Sequence, residues 1–395
     1  MEFNYDDIRP YNDSEVSTVL ARLITDDEFL LAVKELRFRW LPGWLFPFAK
    51  KIISSRLSRR ISQIHNVHDF QLSVERYLSH CLLDTSRELE VNVEQALHPK
   101  KSYLFMSNHR DIAMDPAICN LACHRMGLGT FRIAIGDNLL TKPFSSDLMR
   151  LNKSFIVKRS VEGRREKFIE LRRLSAYIRE SISTDLESVW IAQREGRAKD
   201  GCDKTDTALI KMLMLSKEQD QLFGDALGSL HIIPVSISYE WDPCDTAKAR
   251  ELAAKSRDGN YQKGPHEDIL SIANGIQGWK GRIDLHFGTE ISAQLADADA
   301  VAAEIDRQVV KNYRIQPSNA VAYERLEGKL PEVSENWMEE ELDDARKELT
   351  KRINSLSDDA DAQKMLLQAY ANPVLARLSV TEVNAKVPEP NELPQ

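Results

Sequence analysis

The stretch "LFMSNHRDIAMDPAICN", Leu104–Asn120, decides the fold. It opens as a short apolar run, breaks at Ser107 and Asn108, and turns apolar again after Pro116. A short apolar run with polar flanks reads as a buried strand, and a proline leading into a longer apolar segment reads as a helix start. Between the two lie His109, Asp111 and Asp115. Strand, polar loop and helix in this order form the repeating unit of an α/β sheet, whose sites gather where strand ends meet helix N-termini.

Working outward, further apolar strands are expected at 102–107, 131–135, 154–158, 188–193, 231–239 and 282–287, with amphipathic stretches such as "REKFIELRRLSAYIRESI" between them. The alternation predicts an α/β domain with a central, mostly parallel or mixed sheet flanked by helices on both faces. Residues 1–75 are expected to form a helical N-terminal region, 76–292 the α/β domain, 293–385 an acidic helical region and 386–395 a disordered, Pro-rich tail. From Pro331 to Gln363 eleven acids face four Lys or Arg, which reads as a solvated helical face.

At 395 residues, 42% hydrophobic and 29% charged, the chain is expected to bury a substantial core. The net charge of −8 argues against nucleic acid as a partner. Five cysteines in a chain this long suit free thiols in a reducing, cytoplasmic setting. The acidic N-terminus is unlike a secretory signal, and no window reaches the apolar length of a spanning helix. Between Leu31 and His65, however, eight Lys or Arg and one acid surround Trp40, Trp44, Phe46 and Phe48. Aromatics beside a basic amphipathic segment suit a bilayer surface, and they equally suit a packed hairpin with a solvated basic face.

His109 has three readings. A kinase catalytic loop wants Asn five residues after its Asp, where this chain has Pro116, and there is no Gly-rich phosphate loop or Asp-Phe-Gly. "GIQGWKG" lacks the P-loop spacing. A metal site at Cys119, Cys123 and His124 lacks a second ligand pair, so no metal is expected. General-base catalysis remains, with a carboxylate fixing the imidazole tautomer. No Gly-x-Ser-x-Gly elbow is present, so the base would serve a substrate hydroxyl. Alone, His-x-Asp would read as structural. Its company is "SFIVKR", ending in Lys158 and Arg159, and "AQREGRAKDG", carrying Glu195, Gly196 and Arg197. Two strand ends with arginines, one beside a glycine, make a plausible phosphate cradle.

With "IIPVSI" as a fourth block, Lys100–Tyr239 resembles the glycerolipid acyltransferases, the family of lysophosphatidate and glycerol-3-phosphate acyltransferases. Its blocks are Asn-His-x4-Asp, an apolar stretch to a basic residue, Phe-Pro-Glu-Gly-Thr-Arg-Ser, and an apolar strand with a proline. Order and spacing agree, with two departures. Five residues separate His109 from Asp115, which would stand about 120° apart on a regular helix. They meet only if His109 precedes the first turn. Asp115, followed by Pro116, is favoured over Asp111, which suits a helix start. Gln193 and Arg194 replace the usual Phe-Pro.

The resemblance implies an O-acyltransferase of phospholipid biosynthesis, using acyl-CoA or acyl carrier protein as co-substrate and needing no other cofactor. The acceptor would be lysophosphatidate, with glycerol-3-phosphate the variant. His109 would be the base and Asp115 its partner. Arg159 and Arg197 would hold the phosphate, with Lys158 in support and Glu195 orienting the glycerol end. A helix N-terminus after Asn108 is available to stabilise the oxyanion. The expected setting is the inner face of the membrane, bound peripherally. The competing reading is a non-catalytic peripheral protein that binds lipid or acyl chains on the same fold.

Overall fold

The structure, a computed structural model, describes residues 3–37, 42–140, 142–264 and 267–385. Arg39, Trp40 and the tail 386–395 therefore lie outside the described residues, as do the side chains of Arg37 and Phe48.

Four helices come first: α1 (Asp13–Leu23), α2 (Asp27–Arg37), α3 (Phe46–Ile61) and α4 (Val67–Thr85). Strand β1 (Glu88–Val93) follows, then β2 (Leu104–Ser107), α5 (Met114–Arg125), β3 (Arg132–Gly136), α6 (Pro143–Leu151) and β4 (Ser154–Val157). Next are α7 (Arg164–Ser183), β5 (Val189–Ala192), α8 (Thr207–Leu213), α9 (Phe223–Gly228) and β6 (Ile232–Tyr239). Then come α10 (Asp245–Asp258), α11 (Glu267–Gln277), β7 (Arg282–Phe287) and α12 (Ala298–Asn312). The last three are α13 (Pro317–Glu327), α14 (Glu339–Asn354) and α15 (Ala360–Ala385).

The seven strands form one sheet in the order β1-β7-β6-β2-β5-β3-β4. Five of them, β6 to β4 in that order, are mutually parallel, while β7 runs antiparallel to β6 and carries β1 parallel to itself. The sheet is therefore mixed, with helices on both faces, as the sequence pattern predicts. From β2 the chain crosses to β3 and β4, then returns to insert β5 beside β2 and place β6 on its other side. The C-terminal ends of five parallel strands thus share one edge, with β2 near its centre.

Side-chain alternation along the strands fills two cores. Leu104, Met106, Ile191 and Ile232 pack with α7, α8 and α12. Phe105, Trp190, Ile233 and Val235 point the other way and pack with α4 and α5. The largely apolar runs of β2 and β6 are explained by these covers, since every residue of both strands is buried.

Helix α4 runs unbroken through residue 75, so the N-terminal helices and the sheet share one continuous element. Asn66 starts it by accepting the Asp69 amide at 2.8 Å. The C-terminal helices α13–α15 have a core of their own, joined by Trp241 and by Ala249 and Ala253 of α10. Strand β1, "ELEVNV", has no apolar run to announce it. Pairing with β7 orders it at the sheet's edge.

No helix among the described residues is long and apolar enough to cross a membrane. Trp44 is 74% and Ile52 57% exposed, and Lys51, Arg56, Arg59 and Arg60 of α3 are exposed with them. Phe46 is half-buried.

Asp284 of β7 is buried and accepts an N–H from Asn92 of β1 at 3.0 Å. Burial, and then the nearby Glu90, push its carboxyl up from 3.8 to about 7. The folded protein thus holds a proton that the unfolded chain loses above about pH 4, so this group costs stability progressively as pH rises from 4 to 7. Asp284→Asn is expected to exceed wild type by about 1–2 kcal/mol at pH 8 and to match it near pH 4, read by urea denaturation at both pH values.

Candidate active site

Chain geometry fixes where the histidine stands. After β2 ends, the Asn108 side chain continues the pairing with β6, accepting the Ile237 N–H at 2.8 Å and donating to the Ile237 carbonyl at 3.0 Å. His109 is the next residue, and its carbonyl accepts the Ala198 amide at 2.7 Å from the loop after β5. Helix α5 begins only at Met114, so His109 precedes the regular turns. The chain between them curves back and brings Asp115 beside the imidazole, with Nδ1 and Oδ2 2.8 Å apart. The extra residue in the spacing is absorbed by this loop.

Asp115 is fully enclosed, at 1% exposure, while the imidazole keeps 15%. Its Oδ2 also accepts the amides of Arg110 at 2.5 Å and Asp111 at 2.9 Å. Its Oδ1 accepts the Tyr239 hydroxyl at 2.7 Å. A carboxylate only accepts, so the proton on the His109–Asp115 contact belongs to Nδ1, leaving Nε2 with the lone pair. The ring's edge meets the face of Trp190, centroids 5.8 Å apart.

Asp111 does other work. Its Oδ1 accepts the amides of Ala113 and Met114, both at 2.9 Å, and so starts α5. Burial, then the charge of Asp115, raise its pKa against the pull of those amides. These contacts narrow the choice of oxyanion donors. The amides of Arg110, Asp111, Ala113 and Met114, leading into α5, are committed to two carboxylates.

The arginine blocks also meet. Arg159, just beyond β4, pairs with Glu195 beyond β5 at 3.3 Å. Its guanidinium lies on Gly136 at the end of β3, where a Cβ would stand 2.9 Å from it. Gly196 next to Glu195 has φ +78°, which a side chain disfavours. Arg197 is half-buried and donates to Ser271 of α11 at 2.7 Å. Lys158 is not among this group: it is held by Asp7 of the N-terminal segment at 2.5 Å. Adjacent residues leaving a strand point to opposite faces, which separates Lys158 from Arg159. Cys119 and Cys123 share the buried face of α5, and burial pushes the Cys119 thiol up. Among the described residues no three His, Cys, Asp or Glu side chains converge as metal ligands would.

Sequence reasoning missed the supports. Arg110 donates to Asp203 at 2.6 Å and to the Ala198 and Gly201 carbonyls at 3.3 and 3.2 Å, with its face over the Tyr313 ring. Lys248 of α10 donates to the Arg110 carbonyl at 2.5 Å and pairs with Asp242. Tyr239 carried a signal, since a tyrosine closing a buried strand needs a partner for its hydroxyl. Asp203 and Lys248 carried none.

Residues 88–238 match the family model for the Acyltransferase family. Over this stretch, somewhat more than a third of the chain, the protein is similar to that family. The stretch runs from the first residue of β1 to the penultimate residue of β6, and it contains His109, Asp115, Arg159 and Glu195. Among solved structures, the chain is similar to the 1-acyl-sn-glycerophosphate acyltransferase PlsC from Thermotoga maritima, at 14% identity over 74% of this chain and 94% of that one, with a TM-score of 0.37. No curated protein matches the chain.

The loop after β5 depends on Asp203, which also accepts from Asn108 at 3.1 Å. Asp203→Ala would strand the buried Arg110 cation. It is expected to cost about 3 kcal/mol in urea unfolding.

Proposed function

We propose that the protein moves a fatty acyl group from an acyl thioester, on coenzyme A or acyl carrier protein, to the hydroxyl of lysophosphatidate, with glycerol-3-phosphate the alternative acceptor. The observation that carries this reading is the contact of His109 Nδ1 with the enclosed Asp115, at a strand end inside the stretch that matches the Acyltransferase family. The phosphorylated acceptor is argued from the arginines: Arg159 is 36% exposed, and among the described residues its one carboxylate partner is Glu195, itself mostly exposed. A phosphate would find in Arg159 and Arg197 two guanidinium partners beyond the C-terminal ends of β4 and β5.

Nε2 of His109 takes the hydroxyl proton as the acceptor oxygen bonds to the thioester carbonyl carbon. Asp115 holds the tautomer that leaves Nε2 unprotonated and offsets the charge of the imidazolium. The tetrahedral intermediate then collapses, the C–S bond breaks, and the leaving sulfur takes the proton back from Nε2. The products are the acylated acceptor and the free thiol. The step as written draws on no metal or prosthetic group.

The three-region organisation of the chain suits this task. Residues 76–292 would supply the chemistry. The N-terminal 1–75 would lay Trp44 and Ile52 in the headgroup zone on the inner face of the membrane, with Lys51, Arg56, Arg59 and Arg60 on anionic lipid. The enzyme would then meet its lipid acceptor where that lipid resides.

Thiol release from acyl-CoA and from acyl carrier protein, with lysophosphatidate, glycerol-3-phosphate or no acceptor, tests the chemistry. His109→Ala is expected to lose about 10²–10⁴-fold in rate and Asp115→Asn a comparable share. Asp111→Asn, which keeps an acceptor oxygen for the α5 amides, should remain active. Acceptor-independent turnover, or full activity in His109→Ala, would sink the reading. For the membrane contact, Trp44→Ala is expected to lower sedimentation with anionic vesicles by about threefold or more, without altering the fold.

A further inference from the structure

We infer that Tyr239 is a positioning residue that sets the basicity of His109 by way of Asp115. The inference rests on the reading of His109 as the base. It begins with how the two oxygens of Asp115 are shared out. Oδ2 is crowded, taking the imidazole and the amides of Arg110 and Asp111. The one hydrogen bond described for Oδ1 comes from the Tyr239 hydroxyl. Asp115 is 1% exposed, so water does not readily take the place of that donor.

Tyr239 closes β6, the strand beside β2, and its side chain follows Val235 and Ile237 toward the α5 face. The ring is buried, at 7% exposure. Burial, and then the charge of Asp115, hold the phenol well above its ordinary pKa, so it remains a donor throughout the working range. An O–H donated to a carboxylate draws off negative charge. The carboxylate then supports an adjacent imidazolium less strongly, and Nε2 stays unprotonated to lower pH. Tyr239 thereby favours the form of His109 that accepts a proton.

Other titratable groups act on this cluster, directly or by way of Arg110 and Asp111. Arg110 and Asp111 come from the loop before α5, and Cys119 from α5 itself. Asp242 and Lys248 lie beyond β6, Asp203 beyond β5, and Lys280 ahead of β7. Removing one hydroxyl leaves each of these groups in place, so the substitution isolates a single hydrogen bond.

The test is Tyr239→Phe, with two readouts. In the acyl-transfer assay the acid limb of kcat/KM should move up by at least about half a pH unit, with kcat at pH 6.5 reduced about threefold and the KM for acceptor and donor unchanged. In 13C-histidine NMR, with the His109 signal assigned from His109→Ala, the imidazole pKa should rise by the same amount. The NMR readout needs no turnover, so it reports on Tyr239 even if acyl transfer is never seen. A 3-fluorotyrosine placed at 239 alone is a stronger donor and should move both values down, which guards against a Phe variant that folds poorly. An unchanged acid limb and imidazole pKa in folded Tyr239→Phe, or a loss carried by KM alone, would overturn the inference. So would a downward shift in the Phe variant.

Discussion

One buried carboxylate ties the catalytic edge together. Asp115 accepts from the imidazole, from two amides of its own loop and from a hydroxyl on β6, so it joins β2, α5 and β6 at a single point. A carboxylate enclosed in a protein is costly to desolvate, and the four donors around Asp115 offset that cost. That economy explains the local chain path. Because the amides of Arg110 and Asp111 must turn inward, the loop after β2 cannot begin α5 at once, and Asp111 has to start the helix in their place. The longer spacing from His109 to Asp115 is the footprint of this arrangement.

Beneath that point lies a second layer of charge that reaches into the C-terminal helices. Arg110 is clamped by Asp203, and its carbonyl is held by Lys248, which pairs with Asp242. The Asp242 amide donates to the Tyr370 hydroxyl at 3.0 Å, and that hydroxyl donates to Asp245 at 2.8 Å, which also accepts from Arg352 at 2.6 Å. Each cation here has an acid and each acid a donor, the condition under which buried charge is tolerated. The acidic composition of the C-terminal region hides this, because its exposed acids dominate the count while a few buried polar groups make the contact.

Much of the fold was legible because apolar runs and their covers follow from simple periodicity. All six expected strands exist, since each carries enough Val, Ile, Phe or Trp to be recognised as buried. β1 was not legible: its glutamates and asparagine face half-exposed surroundings, and its order comes from β7, a partner almost two hundred residues away. At the site, His109 and Asp115 could be singled out by spacing, and Arg159, Glu195, Gly196 and Arg197 by their strand-end context. The side to which Lys158 turns could not, because Asp7 lies far off in sequence. Tyr239 and Arg110 were in plain view as residue types. What gave them meaning was register between strands, which a single sequence does not state.

Gly201 shows how tightly the last helix bears on that edge. Its φ is +78°, and a Cβ there would come within 2.0 Å of the Ala369 carbonyl oxygen, so the loop after β5 lies directly on α15. Asn372 of the same helix donates to the Asp200 carbonyl at 2.7 Å. A chain is made from its N-terminus onward, and α15 emerges after every strand. The loop that carries Glu195 and Arg197 thus waits for its floor until synthesis is nearly done. A nascent chain, already able to form its sheet, would not yet hold a finished acceptor site.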